Sequence, residues 1–196
     1  VTRVIRPSGG RGPRFVLAAE GDREFIRMNS NSYLGMGLRP EVVEAEELAA
    51  ARYGAGPGAV RFISGTYETH VHLEERLAAF HSREAAMLFS AAYATVVSVF
   101  AALTTEQTVI ISDELNHNCI INGMKLARPA GKGIYRHNDV DDCRAKLEEA
   151  VGKADRVLLI TDGIFSMRGD HAPLAELIAA AREYDARFPE NVIVLV

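Results

Sequence analysis

Side chains that could bind or act on a ligand follow several predicted strands, at the places where those strands end. The segments concerned are 90–93, 112–117 and 161–170. Small residues in the first would let backbone N–H groups and a helix dipole approach a phosphate, with the ring of Tyr93 beside it. His117 offers a flat imidazole in the second, and Asp162 and Ser166 offer oxygen atoms in the third. Together they suit a phosphorylated planar cofactor better than a dinucleotide.

Each segment alone also has an ordinary structural interpretation, and these alternatives stay open at the level of sequence. Small residues permit close packing of a strand on a helix, a lone histidine is often a surface or capping residue, and a polar loop often only connects two elements. The glycine-rich stretch 54–59 has neither dinucleotide-binding nor P-loop spacing. It could cradle a phosphate or serve as a flexible connector.

The elements that would position these side chains follow an α/β pattern. Short β-branched or apolar runs alternate from about residue 85 with longer segments of helical periodicity, which predicts a mostly parallel sheet with helices on both faces and right-handed crossovers. The predicted strands are 85–89, 108–112, 132–136, 156–161 and 192–196, and the predicted helices are about 92–103, 117–127, 140–151 and 173–187. Asn116 is expected to cap the second of these helices, Asp139 precedes the third, and Pro173 suits the first turn of the fourth.

The N-terminal part of the chain has a different pattern. Residues 14–19 and 24–28 flank Glu20–Asp22, which predicts a short hairpin with a glycine-bearing turn. Helical periodicity predicts one helix from about 40 to 52 and a second, amphipathic helix near 68–81. The glycine-rich stretch lies between these two helices.

Composition and charge exclude several classes of protein. The 196 residues are 48% hydrophobic and 24% charged, as in one globular domain, and the net charge of −4 leaves no basic excess for nucleic acid. Cys119 and Cys143 are too few for a disulfide framework and lack metal-ligand spacing, which indicates a reducing, cytoplasmic location. The uncharged stretch 85–105 is long enough to span a membrane, but polar residues interrupt it, so we expect a buried strand and helix and no membrane partner.

Four strings of residues lie in order along these elements, namely Asn29–Gly35, Arg61–Glu74, Asp113–Gly123 and Thr161–Asp170. With them the chain resembles, from about residue 25 to its end, the α-oxoamine synthases, a family of pyridoxal-phosphate (PLP) enzymes. The resemblance implies an aminotransferase-like (fold type I) α/β large domain that is truncated. Residues 1–60 would form an N-terminal hairpin, helix and glycine-rich loop, and residues 61–196 a partial PLP-binding domain without its C-terminal part and small domain.

The same resemblance implies a reaction and partners. The enzyme would be a PLP-dependent acyltransferase that condenses a small amino acid, glycine in the first instance, with an acyl-CoA. It would release CoA and CO2 or form a 2-amino-3-oxo acid, with PLP as the electron sink. A homodimer with sites between its subunits is also implied. An aminotransferase or lyase of the same fold, and a non-catalytic module or inactive fragment, are the alternatives.

The resemblance also implies roles for individual residues around PLP. Ala92 and Tyr93 match the residues whose backbone amides hold the cofactor phosphate. His117 matches the histidine that stacks on the pyridine ring. Asp162 matches an acidic residue that lines the cofactor pocket, and Ser166 matches a serine in that pocket.

Other matched positions concern the substrate and departures from the family pattern. Asn31 matches the asparagine near the substrate carboxylate, whereas His70 matches a recurrent histidine to which no role is given. The family often has Ala-Ser after its stacking histidine, where this chain has Asn118–Cys119, and often Asn at the position of Val96. It often has Asp at the position of Arg168. These departures concern phosphate and acyl-CoA contacts rather than the stacking histidine.

The chemistry also requires a Schiff-base lysine and an acidic partner for the pyridinium nitrogen. In the family both follow the strand that residues 192–196 resemble, so both are expected beyond Val196. The lysines present are predicted to be surface charges, and both ends of the chain, at Val1 and Val196, look cut. We therefore expect the 196 residues alone to be inactive.

Overall fold

The computed structural model describes residues 3–9, 12–21 and 23–196. Val1 and Asp22, which figured in the sequence predictions, lie outside these ranges. The chain divides into two compact units, Val1–Met87 and Leu88–Val196. The division after residue 60 that the sequence indicated falls within the first unit and stays a prediction.

The first unit contains a small antiparallel sheet followed by helices. The predicted hairpin is confirmed, since β2 pairs with β3 and Phe15 lies opposite Phe25, and a third strand, β1, joins the other edge of β2. The elements are β1 (Ile5–Pro7), β2 (Arg14–Leu17), β3 (Glu24–Ile26), a 3-10 helix (Tyr33–Leu38), α1 (Pro40–Tyr53), a π-helical turn (Arg61–Gly65) and α2 (Glu68–Phe80). Both predicted helices of this unit are therefore confirmed.

Residues just before α2 contact the glycine-rich stretch between α1 and α2. The Tyr67 hydroxyl donates to the Pro57 carbonyl at 3.2 Å. A Cβ atom on Gly65 would lie 2.0 Å from the Ala59 carbonyl oxygen, so this position accommodates glycine alone. The Tyr67 N–H donates to His70 Nδ1 at 2.9 Å, which caps the start of α2. His70 thus has a structural role within the first unit.

The second unit is a four-stranded parallel sheet in the order β5–β4–β6–β9. Its elements are α3 (Ala92–Leu103), β4 (Thr108–Asp113), α4 (Asn118–Ala127), β5 (Gly131–Tyr135), α5 (Val140–Ala150), β6 (Arg156–Ile160), β7 (Ile164–Phe165), β8 (Asp170–His171), α6 (Leu174–Asp185) and β9 (Asn191–Leu195). Four predicted strands and all four predicted helices of this region are confirmed, with ends that differ by at most two residues. The capping position of Asp139 is also confirmed, because its side chain accepts from the Asp142 N–H.

Alternate residues of the central strands face opposite layers of helices. Ile110 and Leu158 pack with α3 and α4 on one face, whereas Ile111 and Leu159 pack with α5 and α6 on the other. Strands buried on both faces read as continuous apolar runs, which is why the sequence revealed them. The sheet therefore has a helical layer on each side, as predicted.

The order of the strands creates a switch point between β4 and β6. The chain leaves β4 through α4 toward β5, and it leaves β6 through α6 toward β9, on the opposite side. Ligands of open α/β sheets bind in the crevice that opens at the carboxyl ends of the strands where the direction reverses. The segments after β4 and β6 are therefore the first place to look for a site.

Two further predictions from the sequence are wrong. Residues 85–89 form no strand, because a strand requires a hydrogen-bonded neighbour and the described residues supply none; Met87 is 74% exposed. The segment 161–170 is not a plain loop, since β7 and β8 form a short hairpin within it. Two-residue strands are too short to show an alternating pattern.

Among the described residues, no helix has both the length and the apolar character needed to cross a membrane.

Gly123 allows α3 and α4 to approach closely. A Cβ atom built there would lie 2.8 Å from Cδ2 of Phe100, whose ring is 2% exposed. We expect Gly123→Ala to lower the free energy of unfolding by about 1–3 kcal/mol, because overpacking outweighs the gain in helix propensity. Urea unfolding measures the effect. Gly123→Ala should cost less in a Phe100→Leu background than in the wild type. An equal cost in both backgrounds would contradict the close contact as the cause.

Candidate cofactor site

Asn116 joins the carboxyl ends of the two strands at the switch point. It is buried, and its Nδ2 donates to Ser112 Oγ and to the Ile160 carbonyl, both at 2.9 Å. Its Oδ1 accepts from the Asp162 N–H at 2.7 Å. The prediction that Asn116 caps α4 is wrong, because His117 occupies that position. Propensity favours asparagine at caps, but partners on β4, on β6 and just after β6 hold this side chain inside instead.

His117 is fixed at the start of α4 by contacts that leave its ring exposed. Its backbone N–H donates to Asp162 Oδ2 at 2.7 Å. Its Nδ1 accepts from the Cys119 N–H at 3.2 Å and lies 2.9 Å from Cys119 Sγ. Since Nδ1 accepts, the neutral ring carries its proton on Nε2. The structure therefore presents an oriented, exposed imidazole at the edge of the sheet.

The Cys119 thiol acts as a donor toward His117. Burial raises the pKa of Cys119, and the neighbouring Asp162 carboxylate raises it further, so the thiol stays protonated at neutral pH. The second cysteine, Cys143, lies in the core, where burial raises its pKa to about 12. Both thiols are free and buried.

The contact between Cys119 and His117 can be tested with a pair of substitutions. We expect Cys119→Ser to keep a donor facing Nδ1 and to preserve the Nε2-protonated ring. Cys119→Ala removes that donor at a cost of about 1 kcal/mol, typical of one hydrogen bond. The ¹⁵N chemical shifts of the His117 ring report its tautomer. If the alanine variant gives the same shifts as the wild type, the thiol does not orient the ring.

The first turn of α3 lies beside the first turns of α4. No side chain caps α3, whose N-cap residue is Ala91, so its first backbone N–H groups are available to an anion. The Tyr93 hydroxyl accepts from Asn122 Nδ2 at 2.6 Å, and Asn122 also donates to Asn118 Oδ1 at 2.9 Å. These contacts tie the start of α3 to the helix that His117 begins.

The remaining predicted residues lie on other segments. Ser166 is exposed in the turn between β7 and β8, where Gly169 has a φ of +81° and its N–H donates to the Phe165 carbonyl at 2.8 Å. Asn31 is exposed in the first unit, where its carbonyl accepts from the Tyr33 N–H at 2.9 Å. The structure thus gathers the residues on α3, α4 and β6 at one edge, with Ser166 on the hairpin that follows β6.

A histidine network at the same edge was missed by the sequence analysis. His137 Nδ1 lies 3.0 Å from Asp113 Oδ1, and its Nε2 lies 3.1 Å from Asp170 Oδ2. The Asp113 carboxylate also accepts from the N–H groups of Leu115 and Asn138, at 2.8 and 2.9 Å. His137 follows β5, so inspection of the residues after that strand would have identified it.

All four lysines of the chain lie in the described part, and none is positioned like a residue of the candidate cofactor site. Lys125 is in the last turn of α4, Lys132 in the first half of β5, and Lys153 in the turn after α5. Lys146, on α5, pairs with Glu149 at 2.9 Å. None of the four follows the carboxyl end of a strand, which agrees with their prediction as surface charges.

Comparison with known proteins identifies the family. The profile of aminotransferases of class I and II matches residues 23–188. The chain belongs to this family. It is 44% identical over 176 residues to 8-amino-7-oxononanoate synthase 1 of Bacillus velezensis and 45% identical over 179 residues to 8-amino-7-oxononanoate synthase of Geobacter sulfurreducens. These alignments cover 90% and 91% of this chain and 44% of each relative.

Solved structures agree with this assignment to the class I and II aminotransferases. Serine palmitoyltransferase from S. paucimobilis, solved with bound PLP and myriocin, superposes with a TM-score of 0.87 at 26% identity, covering 98% of this chain and 46% of that one. The resemblance to the α-oxoamine synthases and the fold type I α/β architecture are therefore confirmed. This chain spans somewhat under half the length of the curated relatives it matches.

Proposed function

We propose that this chain is the part of a PLP-dependent α-oxoamine synthase that holds the cofactor's phosphate and one face of its ring. The observation that carries the proposal is the exposed, oriented imidazole of His117 at the switch point, held by Cys119 and Asp162. A flat ring in this position suits a planar ligand. The relatives and the PLP-bound neighbour support the choice of cofactor.

The residues present fit PLP. The uncapped first turn of α3 offers backbone N–H groups of Ala92 and Tyr93 to a phosphate dianion. His117 is attached through its backbone and Nδ1, which leaves the faces of the ring open for stacking. Asp162 and Ser166 add oxygen atoms on neighbouring segments. The covalent lysine and the acid for the pyridinium nitrogen would come from elsewhere in the protein.

PLP supplies the electron sink of the reaction, and the residues of this chain bind and orient it. The α3 N-terminus fixes the phosphate end, because backbone N–H groups cannot move without unwinding the helix. His117 limits rotation of the ring, because Asn116 and Asp162 connect its backbone to β4 and β6. The contribution of these residues to catalysis is positional.

The proposed substrates are a small amino acid and an acyl-CoA, and the proposed assembly is a homodimer. The relatives named for 8-amino-7-oxononanoate and for serine and palmitate support this substrate class. Asn31 is the proposed contact for the amino acid carboxylate. The first unit exposes large apolar side chains that a second copy would cover, such as Leu34, Phe62 and Phe80. Two unpaired cysteines support a cytoplasmic location.

Release of free CoA tests the function. The native polypeptide that contains these residues is loaded with PLP and mixed with glycine, alanine or serine and an acyl-CoA from acetyl to palmitoyl. We expect thiol release that requires the amino acid, the thioester and PLP together. Amino-group transfer to a keto acid without thiol release would contradict the proposal and favour an aminotransferase. PLP binding without either reaction would favour a lyase or a non-catalytic protein.

A further inference from the structure

The proton count of the His137 network follows from its geometry. Each ring nitrogen faces a carboxylate oxygen, of Asp113 on one side and Asp170 on the other, at 3.0 and 3.1 Å. Asn138 Nδ2 also lies 3.3 Å from Nε2, and it donates to the His171 carbonyl at 3.3 Å. Ionised carboxylates only accept hydrogen bonds, so a neutral imidazole, with a single N–H, could satisfy just one of them. The imidazolium donates to both. The side chains of His137 and Asp113 are 10% and 0% exposed, so solvent screens the contact between them weakly.

The network connects two segments on which the cofactor site depends. Asp113 Oδ1 also accepts from the Leu115 N–H, which fixes the turn that leads to His117. Asp170 is the first residue of β8 and closes the hairpin turn that contains Ser166. The ring of His137 meets the Phe165 ring edge-on, with 4.4 Å between centroids, so the hairpin contacts His137 from both of its strands.

We propose that His137 is a positioning residue of the cofactor site, which holds the Ser166 hairpin against the turn that leads to His117. The inference rests on the proposed function, because it concerns the same PLP site. It does not require His137 to touch the cofactor. Without the imidazolium, two carboxylates would face each other across the gap, and the hairpin would move away from the sheet edge.

The link between the segments depends on pH. Burial lowers the pKa of His137, but hydrogen bonds and charges from Asp113 and Asp170 outweigh it and leave the pKa above its ordinary value. A raised folded pKa means that the stabilisation is complete below about pH 6.5 and is lost as pH rises through the folded pKa. The hydrogen bond from His137 lowers the pKa of Asp170. That contribution is present above about pH 4 and is lost as pH falls through the lowered value.

Other charged groups surround the network. Glu114 Oε1 accepts from the His137 N–H at 3.0 Å, and the Arg168 guanidinium lies 3.6 Å from Asp170 Oδ2. The neighbouring charged or titratable residues on the same segments are Arg136, Asp139, Asp142 and His171. His171 is exposed and serves as the matched control.

The test compares the native polypeptide with His137→Gln and with the control His171→Gln. PLP dissociation constants are measured by fluorescence titration between pH 6 and pH 9, and each is divided by the wild-type value, which cancels titration of PLP itself. We expect a ratio of about 10 for His137→Gln at pH 6, because the substitution removes hydrogen bonds between charged groups, which contribute more than neutral ones. The ratio should fall toward one as pH rises through the His137 pKa. The control His171→Gln should give a ratio of one at every pH.

Hydrogen exchange of the hairpin peptide, residues 163–172, provides a readout that needs no cofactor. We expect faster exchange in His137→Gln than in the wild type and the control. If His137→Gln does not fold, Asp170→Asn replaces it, because Asp170 is at a partly exposed position. This variant should also weaken PLP binding and speed hydrogen exchange of the hairpin, by smaller amounts. An affinity ratio of one at pH 6 overturns the inference. If the wild type does not bind PLP, the proposed function fails. Separately, hydrogen exchange of residues 163–172 that is the same in His137→Gln as in the wild type would overturn the positioning role.

Discussion

His117→Asn is expected to weaken PLP binding by about 10- to 100-fold with little loss of protein stability. Loss of one stacking ring typically costs 1–3 kcal/mol, and 1.4 kcal/mol corresponds to tenfold in affinity. Asparagine is among the best N-cap residues, so α4 should keep its cap. Fluorescence titration with PLP measures the affinity, and urea unfolding measures the stability.

The complementary variant is His117→Phe. It keeps a flat ring but cannot accept the Cys119 N–H, so we expect a loss of about 1 kcal/mol in unfolding free energy and PLP affinity close to that of the wild type. The two variants therefore separate stacking from capping. If His117→Asn binds PLP as tightly as the wild type, the ring of His117 does not contact the cofactor.

Asn116→Ala is expected to lower the free energy of unfolding by about 3 kcal/mol. The substitution leaves the Ile160 carbonyl and the Asp162 N–H without their partner at a buried position, and each such group costs about 1–3 kcal/mol. Urea unfolding measures the change, provided that the slope of the unfolding free energy against urea concentration is the same in both proteins. The matched control is Asn118→Ala, an exposed asparagine two residues along, for which we expect at most about 0.5 kcal/mol. Equal effects in the two variants would contradict the structural role of Asn116.

Much of the second unit could be predicted because its elements follow from local sequence. β4 and β6 are continuous apolar runs, α4, α5 and α6 keep helical periodicity, and α5 begins at the predicted cap Asp139. The run 85–89 looked similar, but among the described residues no strand pairs with it. Apolar composition specifies burial, whereas a strand also requires a partner with free backbone groups.

The candidate site could be predicted in part for the same reason. Residues after strands mark the crevice, which located His117 and Asp162. The roles of Asn116 and His137 could not be predicted, because they depend on partners distant in sequence. Asn116 contacts a carbonyl 44 residues away, and the carboxylates of the His137 network lie 24 and 33 residues from that histidine. Local capping preferences carry no information about such contacts.

The position of the site is a consequence of topology rather than of any single motif. The switch point between β4 and β6 places the starts of α3 and α4 and the turn after β6 within hydrogen-bonding reach of one another. In the proposed function, groups that differ in chemistry would thereby bind the same ligand. The helix terminus suits the charge of a phosphate, and the imidazole suits the face of an aromatic ring.

The most direct test is an intact-mass and peptide-mapping measurement on the native polypeptide after incubation with PLP and reduction with borohydride. If the chain forms the phosphate and ring side of a PLP site, one pyridoxyl group per polypeptide should be found on a single lysine other than Lys125, Lys132, Lys146 and Lys153. Absence of any adduct, or a pyridoxyl group confined to one of those four lysines, would contradict the proposed cofactor site.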